Sequence, residues 1–329
     1  MAAPSSAISR TEYSTGFREF DLEASRRGFI GPRVLVPLAV GKQAADIASV
    51  PLEQLLANRE TARAPRSGYA RSDFTFGKFS YSCVEHGAEE PLADAELAIY
   101  SDILDCESVH VGRAVDVVLR NYERAVAAAV FDAAVWTGPL TDTVGAAAWD
   151  DYENATPIDD VLAACRAVHG RTGLWPNTFA CNRTVFQNIS QCAQVLDRIV
   201  YGGAPGKPAV VTAKALAAIF SVDQVLVADS AYNDATEGQD ADIEPVWSDA
   251  YAMVCRTATS EDMAEPCIGR TFMFDGDGPA GTRGEEIAVA VEEYREEAQR
   301  GSIIRARTYW DAKIILADAG HLITGVTTS

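Results

Sequence analysis

The sequence predicts an α+β protein, and three observations carry that reading. Past residue 90 comes a long apolar stripe at helical spacing. After it, helix-like and strand-like segments alternate. The chain then finishes in β-branched stretches, SIIRARTYWDAKIILADAGHLITGV from Ser302 to Val326, whose charged middle suits contact better than catalysis.

In chain order, residues 1 to about 50 read as an irregular arm. Arg26-Arg27-Gly28 and Gly31-Pro32 break any helix, and VLVPLAV carries a proline inside an apolar run. Between Arg59 and Arg71 the charge turns basic, with Arg59, Arg63 and Arg66 at helical spacing and Arg71 extending the run. In YARSDFTFGKFSYSCVEHG, Phe74 and Phe76 alternate with polar residues, and the alternation resumes at Phe79 and Tyr81. Gly77-Lys78 suits the two-residue loop of a type II′ hairpin, with Lys78 at its tip. That register sets Phe76 opposite Phe79 and Phe74 opposite Tyr81, four rings on one side of a ribbon. A lone two-stranded ribbon is marginal in water, so it should lie on its own core or on a neighbour.

From Glu85 to Glu107 there are eight acidic residues and no Lys or Arg, so adjoining basic and acidic segments would complement one another between identical copies. The apolar stripe Val111, Val115, Val118, Tyr122, Val126, Ala129, Ala133 and Trp136 steps by three and four. Leu97 and Leu104 extend it backward, predicting one helix of roughly 40 residues and about 60 Å. Such a helix outruns a compact globule of this size, whose diameter is about 50 Å, and predicts an elongated subunit. From about 155 to 260, DDVLAACRAVHGRTG, RTVFQNISQCAQVLDRI and TAKALAAIFSV read as helices, with PNTFACN and DQVLVADSAY as strands, a separate α/β unit.

Composition narrows the function. At 329 residues, 48% hydrophobic and 23% charged, the chain can bury a large core. A net charge of −19 with five Lys argues against phosphate-directed binding of nucleic acid. Seven scattered Cys without C-x-x-C spacing read as free thiols rather than zinc ligands or disulfides. No apolar run reaches the 18 residues of a membrane span, and no leader-like segment opens the chain. GGAPGKPA has three residues between its outer glycines where a phosphate loop has four, and Pro208 replaces the hydroxyl. FDGDGPAGTRGEE puts Pro279 and Ala280 where a calcium loop needs a ligand and a glycine. His86, His110, His169 and His321 fall on four separate segments, and the pairs Asp150-Asp151 and Asp159-Asp160 read as helix-start acids. The expectation is therefore no enzyme, with no catalytic residue, cofactor or metal site.

The order of elements resembles that of tailed-phage major capsid proteins with the fold named after phage Hong Kong 97, and the wording is similar to their lambda-type branch. The resemblance lies in ARAPRSGYARSDFTFGKFSYSCVEHGAEEPL, RNYERAVAAAVFD, TGLWPNTFACNRTVFQNISQCAQVLDRI, VLVADSAYNDATEGQ with VWSDAYAMV, and EEYREEAQRGSIIRARTYWDAKIILADAGHLI. It implies an N-terminal arm at 1–55, an extended loop at 56–90, a spine helix and connection at 91–154, an axial domain at 155–260 and a second part of the peripheral domain at 261–329.

It further implies hexamers and pentamers of one chain tiling an icosahedral head around double-stranded DNA. The protein would then be assembled in a host bacterial cytoplasm and kept in the virion. Itself is the main partner, with a separate scaffold, a portal and a cementing or decoration protein beside it, no membrane, and DNA enclosed without sequence-specific contact. The candidate subunit-interface residues are Arg59, Arg63, Arg66, Arg71, Phe74, Phe76, Lys78, Phe79, Tyr81, Glu85, Glu89, Glu90, Glu293, Glu296, Arg305 and Arg307. The type member joins a loop Lys to a peripheral Asn. No Asn follows Asn233 here, so the expected shell is noncovalent. An encapsulin-like cellular shell of the same fold and, from a different class, a cytosolic α/β hydrolase stay open at this point.

Overall fold

A computed structural model describes residues 22, 26–58, 61–63, 65–66, 68–69, 71, 75–100, 105–144, 147–202, 211–236, 238–276, 282–283, 286–298 and 300–328. The first elements are α1 (Gly31–Val34), β1 (Pro37–Val40), β2 (Ala44–Ser49), α2 (Leu52–Leu55), β3 (Gly77–Ser82) and β4 (Val84–Ala93). Then come α3 (Asp94–Tyr100), α4 (Cys106–Val130), β5 (Thr141–Thr143), α5 (Pro157–Thr172), β6 (Thr178–Asn182), α6 (Arg183–Gln191) and α7 (Ala193–Gly202). The remainder is α8 (Ala213–Phe220), β7 (Gln224–Ala228), β8 (Ala231–Asn233), β9 (Ile243–Pro245), β10 (Tyr251–Cys255), β11 (Gly269–Phe274), β12 (Thr282–Arg283), β13 (Glu286–Ile287), β14 (Ala290–Glu296), β15 (Gly301–Ile314) and β16 (Gly320–Thr324).

Two five-stranded sheets organise the molecule. In the first, the long strand β15 pairs along one edge with β4; along its other edge it pairs with β14 and then β11, and β11 also pairs with β1. The side-chain period of 2 sorts β15: Ile304, Ala306, Thr308 and Trp310 are buried, while Arg305, Arg307, Tyr309 and Asp311 stay partly open. The second sheet runs β5-β16-β10-β6-β7. Phe179, Cys181, Ala252, Val254 and Ile323 lie in one core cluster with residues of α5, α6 and α8. Their alternates Ala180, Met253, Cys255 and Leu322 join Tyr122, Val126 and Val130 of α4 in another. Both faces of this sheet are therefore covered, which explains why β6 is buried at every position.

The strand pairing runs across two of the expected boundaries. The final strand β16 belongs to the second sheet, between β5 and β10, and not to the sheet of β15. That second sheet therefore draws strands from both sides of the 155–260 segment, because β16 returns through a tight turn at Ala317–Ala319. Seven thiols were expected free, and all seven are free and buried.

The predicted 40-residue helix is also corrected. Pro91 to Ala93 pair with β15 as strand, α3 has only seven residues, and α4 spans 25 residues, about 37 Å. Tertiary pairing overrides the helical stripe at its start, and Asp105 caps α4 by accepting from the Ser108 N–H at 3.2 Å. At the other end Trp136 lies beyond the helix, its Nε1 donating to the Val130 carbonyl at 2.7 Å, so its place in the stripe reflects burial and not helix. A helix this short fits within a compact body, and the length argument for an elongated subunit falls away. The Val115, Val118, Tyr122 and Val126 part of the stripe stands, packed on the two sheets.

Candidate functional site

The ribbon is real, but its partner strand differs from the expected one. β3 pairs antiparallel with β2, from Ser49 opposite Gly77 to Ala44 opposite Ser82, so Gly77 and Lys78 are strand residues and no turn forms there. A local two-residue loop looked sufficient from sequence; the partner instead lies some 30 residues upstream, in the segment assigned to the arm. Phe79 and Tyr81 do share a face, and it points inward. Tyr81 is buried and stacks on Phe272 with centroids 4.5 Å apart, and Phe79 lies at 6.2 Å from the same ring. These two rings are packed on their own subunit. Phe76 sits outside the inward pair and is 67% exposed. Phe74 and Arg59 lie outside the described residues.

The described residues between β2 and β3 are both apolar and basic, and Leu56 reaches the body, its Cδ1 3.3 Å from where a Cβ on Gly173 would stand. Leu55, Leu56 and Phe76 are all more than 60% exposed, and Tyr69 is 76% exposed with the Arg63 guanidinium 4.5 Å from its ring centre. Arg66 and Arg71 are exposed as well, and among the described residues neither forms an ion pair; Arg66 adopts φ 73°, a left-handed backbone that L residues seldom take. Lys78, expected at the tip, is instead on the ribbon's flank, 3.2 Å from Asp46 in an exposed pair of little energetic weight.

The charges expected to pair between copies are largely paired within one. Register sets Glu89 and Glu292 directly across from Arg305 on its two sides. Glu89 takes an Arg305 hydrogen bond at 2.7 Å, and Glu292 takes one from Arg307 at 2.7 Å. Glu85 lies 3.8 Å from Arg307 and Glu90 lies 3.5 Å from Arg113. The Arg307 bond holds the Glu292 carboxyl below its ordinary range, as the Glu89 bond raises Arg305. Cross-strand neighbours of opposite sign stabilise a sheet in place, so this row serves the subunit's own fold. Glu293 is exposed on β14 and Glu296 is partly covered.

One carboxylate ties the arm to the rest. Glu123 of α4 is fully buried, and its two oxygens accept from the Ile30 N–H at 2.8 Å, the Gly31 N–H at 2.9 Å and Trp247 Nε1 at 2.7 Å. Burial pushes its carboxyl up, against three hydrogen bonds that favour the charged form. A Cβ at Gly31 would stand 2.5 Å from a Glu123 oxygen, so a larger residue there would have to push this carboxylate aside. Seven residues earlier on α4, Asp116 receives both Arg26 at 3.3 Å and Arg120 at 2.8 Å. Neither acid was singled out from sequence. Two acids seven apart inside an apolar helical stripe would have been the available signal.

His86 stacks on Trp310, His169 stacks on Trp175, His110 bonds its own helix at the Cys106 carbonyl, and His321 lies 3.1 Å from Asp142. The histidines thus stay on separate elements. No group of three or more His, Cys, Asp or Glu among the described residues could hold a metal ion. No helix among them is long and apolar enough to cross a membrane. Most of GGAPGKPA and the centre of FDGDGPAGTRGEE lie outside the described residues.

A loop at 259–265 is locked by Glu265, which accepts from the N–H and hydroxyl groups of both Thr259 and Ser260. Burial pushes this carboxyl up, but the four hydrogen bonds outweigh it and hold it at about 2. A carboxyl lowered in the folded state contributes stability above its unfolded value of 4.5, and that contribution is lost as pH falls toward 2. Protection of the Thr259 and Ser260 amides, relative to their intrinsic exchange rates, should therefore fall between pH 4.5 and 2, and in Glu265→Gln it should be low throughout. Equal protection in both proteins at neutral pH would contradict the lock.

No family model matches the chain, and no curated protein matches its sequence. Solved structures do. A phage-related protein of Bordetella bronchiseptica is similar at a TM-score of 0.67 and 20% identity, over 93% of this chain and 96% of that one. The SrpI encapsulin of Synechococcus elongatus gives 0.57 and 10%, over 99% and 96%. The capsid protein of cyanophage P-SCSP1u gives 0.55 and 10%, over 98% and 92%. The likeness runs nearly the full length of both partners each time. The chain has the fold these proteins share, the Hong Kong 97-like fold.

Proposed function

We propose that this chain is a structural protein, the major capsid protein of a tailed phage or prophage. Its copies assemble as hexamers and pentamers into an icosahedral head around double-stranded DNA. The observation that carries the reading is the fold shared with capsid proteins, joined by an apolar and basic segment in which Leu55, Leu56 and Phe76 are exposed and Arg66 and Arg71 form no ion pair among the described residues. Apolar surface of this kind, rimmed by charge, marks a contact site. In this reading the extended loop at 56–90 borrows β2 of the arm as its partner strand, the sheet built on β15 with α4 forms the peripheral domain, and the sheet with α5 to α8 forms the axial domain. Many weak contacts repeated around a closed shell hold each copy at several patches at once. The acidic balance keeps the lining from adhering to DNA, so the genome is enclosed without sequence-specific contact. A separate scaffold, a portal and a cementing protein are the partners this implies, and the virion is its place. The role is not enzymatic.

The similarity to an encapsulin supports a second reading, a cellular shell of the same fold. Negative-stain microscopy and sedimentation of the purified full chain test both. Closed, uniform particles are expected, running after boiling as a single 35.3 kDa band because the shell is noncovalent. Particles from the native source that are small and free of DNA favour the cellular shell. A chain that stays single at high concentration sinks both.

A further inference from the structure

β16 enters its sheet beneath a clasp. Arg171, in the last turn of α5, donates to the Gly320 carbonyl at 2.8 Å and to the Asp318 carbonyl at 3.4 Å, and also to the Pro139 carbonyl ahead of β5. One guanidinium thus gathers the approaches to two paired strands, β5 and β16. Its one ion pair among the described residues, to the Asp318 carboxylate, is long at 3.8 Å.

Directly after the clasp comes His321, 1% exposed and the only titratable residue of β16. It pairs with Val254 of β10, and Ile323, two residues on, pairs with Asp142 of β5. The period of 2 puts His321, Ile323 and Asp142 on the face packed against α5. His321 Nε2 lies 3.1 Å from an Asp142 oxygen, yet neither ring nitrogen has an aligned hydrogen-bond partner among the described residues. The charged groups around the ring are Asp142 from β5, Arg171 from α5 and Asp318 from the turn, while its β10 neighbour Val254 is apolar. A neutral imidazole suits this place. A proton on it would set a second cation near Arg171 where water is excluded, opposite a carboxylate that is itself 71% exposed. Burial holds the imidazole below its ordinary range; Asp142 pulls it up and Arg171 pushes it down.

We propose that His321 is an acid-operated release for β16. Its protonation sets an imidazolium against the Arg171 guanidinium, loosens the hold on Asp318 and Gly320, and frees the turn at Ala317–Ala319 with the start of the strand. A histidine lowered in the folded state leaves stability intact above its unfolded value of 6.5, and stability is lost as pH falls below that value. β16 lies between β5 and β10, so the release divides the second sheet there, while β6 and β7 keep their own ladder. The device belongs to the single chain and stands apart from the shell reading.

Hydrogen exchange and an NMR titration of the unassembled full chain test it. The His321 ring should titrate below 6.5. From about pH 7 to about pH 5, protection of the β16 and Arg256 amides, relative to intrinsic rates, should fall roughly tenfold more in the wild type than in His321→Gln. The Arg256 amide reports on the turn because it donates to the Ala319 carbonyl at 2.9 Å. Amides of β6 and β7 should keep their protection in both proteins. Asp142→Asn, at an exposed position, removes the carboxylate that favours the charged ring, so the ring should titrate lower and the loss should shift with it. A ring that titrates at 6.5 or above, or one unmoved by Asp142→Asn, overturns the release. So do parallel pH profiles in the wild type and His321→Gln, which would mark a histidine that only fills space. Should His321→Gln not fold, the Asp142→Asn titration and the wild-type exchange profile decide alone.

Discussion

Glu123→Ala should lower the stability of the folded chain by about 3–5 kcal/mol, the range for removing one partner of a buried polar cluster. The loss has three sources. The Ile30 N–H, the Gly31 N–H and Trp247 Nε1 all lose their acceptor, and each buried orphan costs about 1–3 kcal/mol. A void also opens among α1, α4 and the segment before β10. Glu123→Gln is the sharper variant. It keeps the shape but turns one acceptor into a donor facing a backbone N–H or the indole, so the deficit should fall only partly. Urea denaturation of the unassembled chain measures both. A change below about 1 kcal/mol for the alanine variant would mean that the donors find other partners and that the junction is incidental. Because the same carboxylate fixes residues 30–31, the variant should also speed amide exchange at Gly31 and Leu35 before the rest of the chain opens.

Phe272→Ala should have the next largest effect, about 3–5 kcal/mol for deleting a fully buried ring. Phe272 sits on β11 and receives Tyr81 and Phe79, with Leu38, Val40 and Cys83 around it. The stacked contact with Tyr81 adds about 0.5–1.5 kcal/mol to its area burial. The consequence reaches the ribbon, whose inward rings would lose their seat. Amides of β2 and β3 should then exchange much faster, while those of β6 and β10 keep their protection. Uniform acceleration across both sheets would show that Phe272 supports the whole fold and not the ribbon in particular.

Much of this was legible in the sequence. The alternating segment at 155–260, the shared face of Phe79 and Tyr81, the long terminal strand and the apolar stripe of α4 all follow from periods of 2 and 3.6, which local residues carry by themselves. What was missed depends on distant pairing. No local signal says that Gly77 to Ser82 pairs with Ala44 to Ser49, since Gly77-Lys78 satisfies the rules for a tight turn just as well. Pro91 to Ala93 read as the start of a helix because the strand that claims them, β15, begins some 200 residues later. The candidate interface residues divide for the same reason. Charge composition showed that acids and bases complement one another, but only register reveals that Glu89 and Arg305 do so inside one subunit while Arg66 and Arg71 remain without a counterpart among the described residues. Glu123 escaped notice because a lone acid in a helix ordinarily reads as a solvated residue.

The position of β16 has a temporal consequence. Gly320 to Thr324 occupies an interior place in its sheet, with β5 on one side and β10 on the other. During synthesis the ribosome delivers those five residues after all their neighbours, so a nascent chain holds the slot open until translation has passed them. A prematurely terminated product lacking Gly320 onward would leave the edges of β5 and β10 exposed and would be a substrate for proteolysis instead of a building block. Synthesis past Thr324 is in this way a precondition for closing the second sheet.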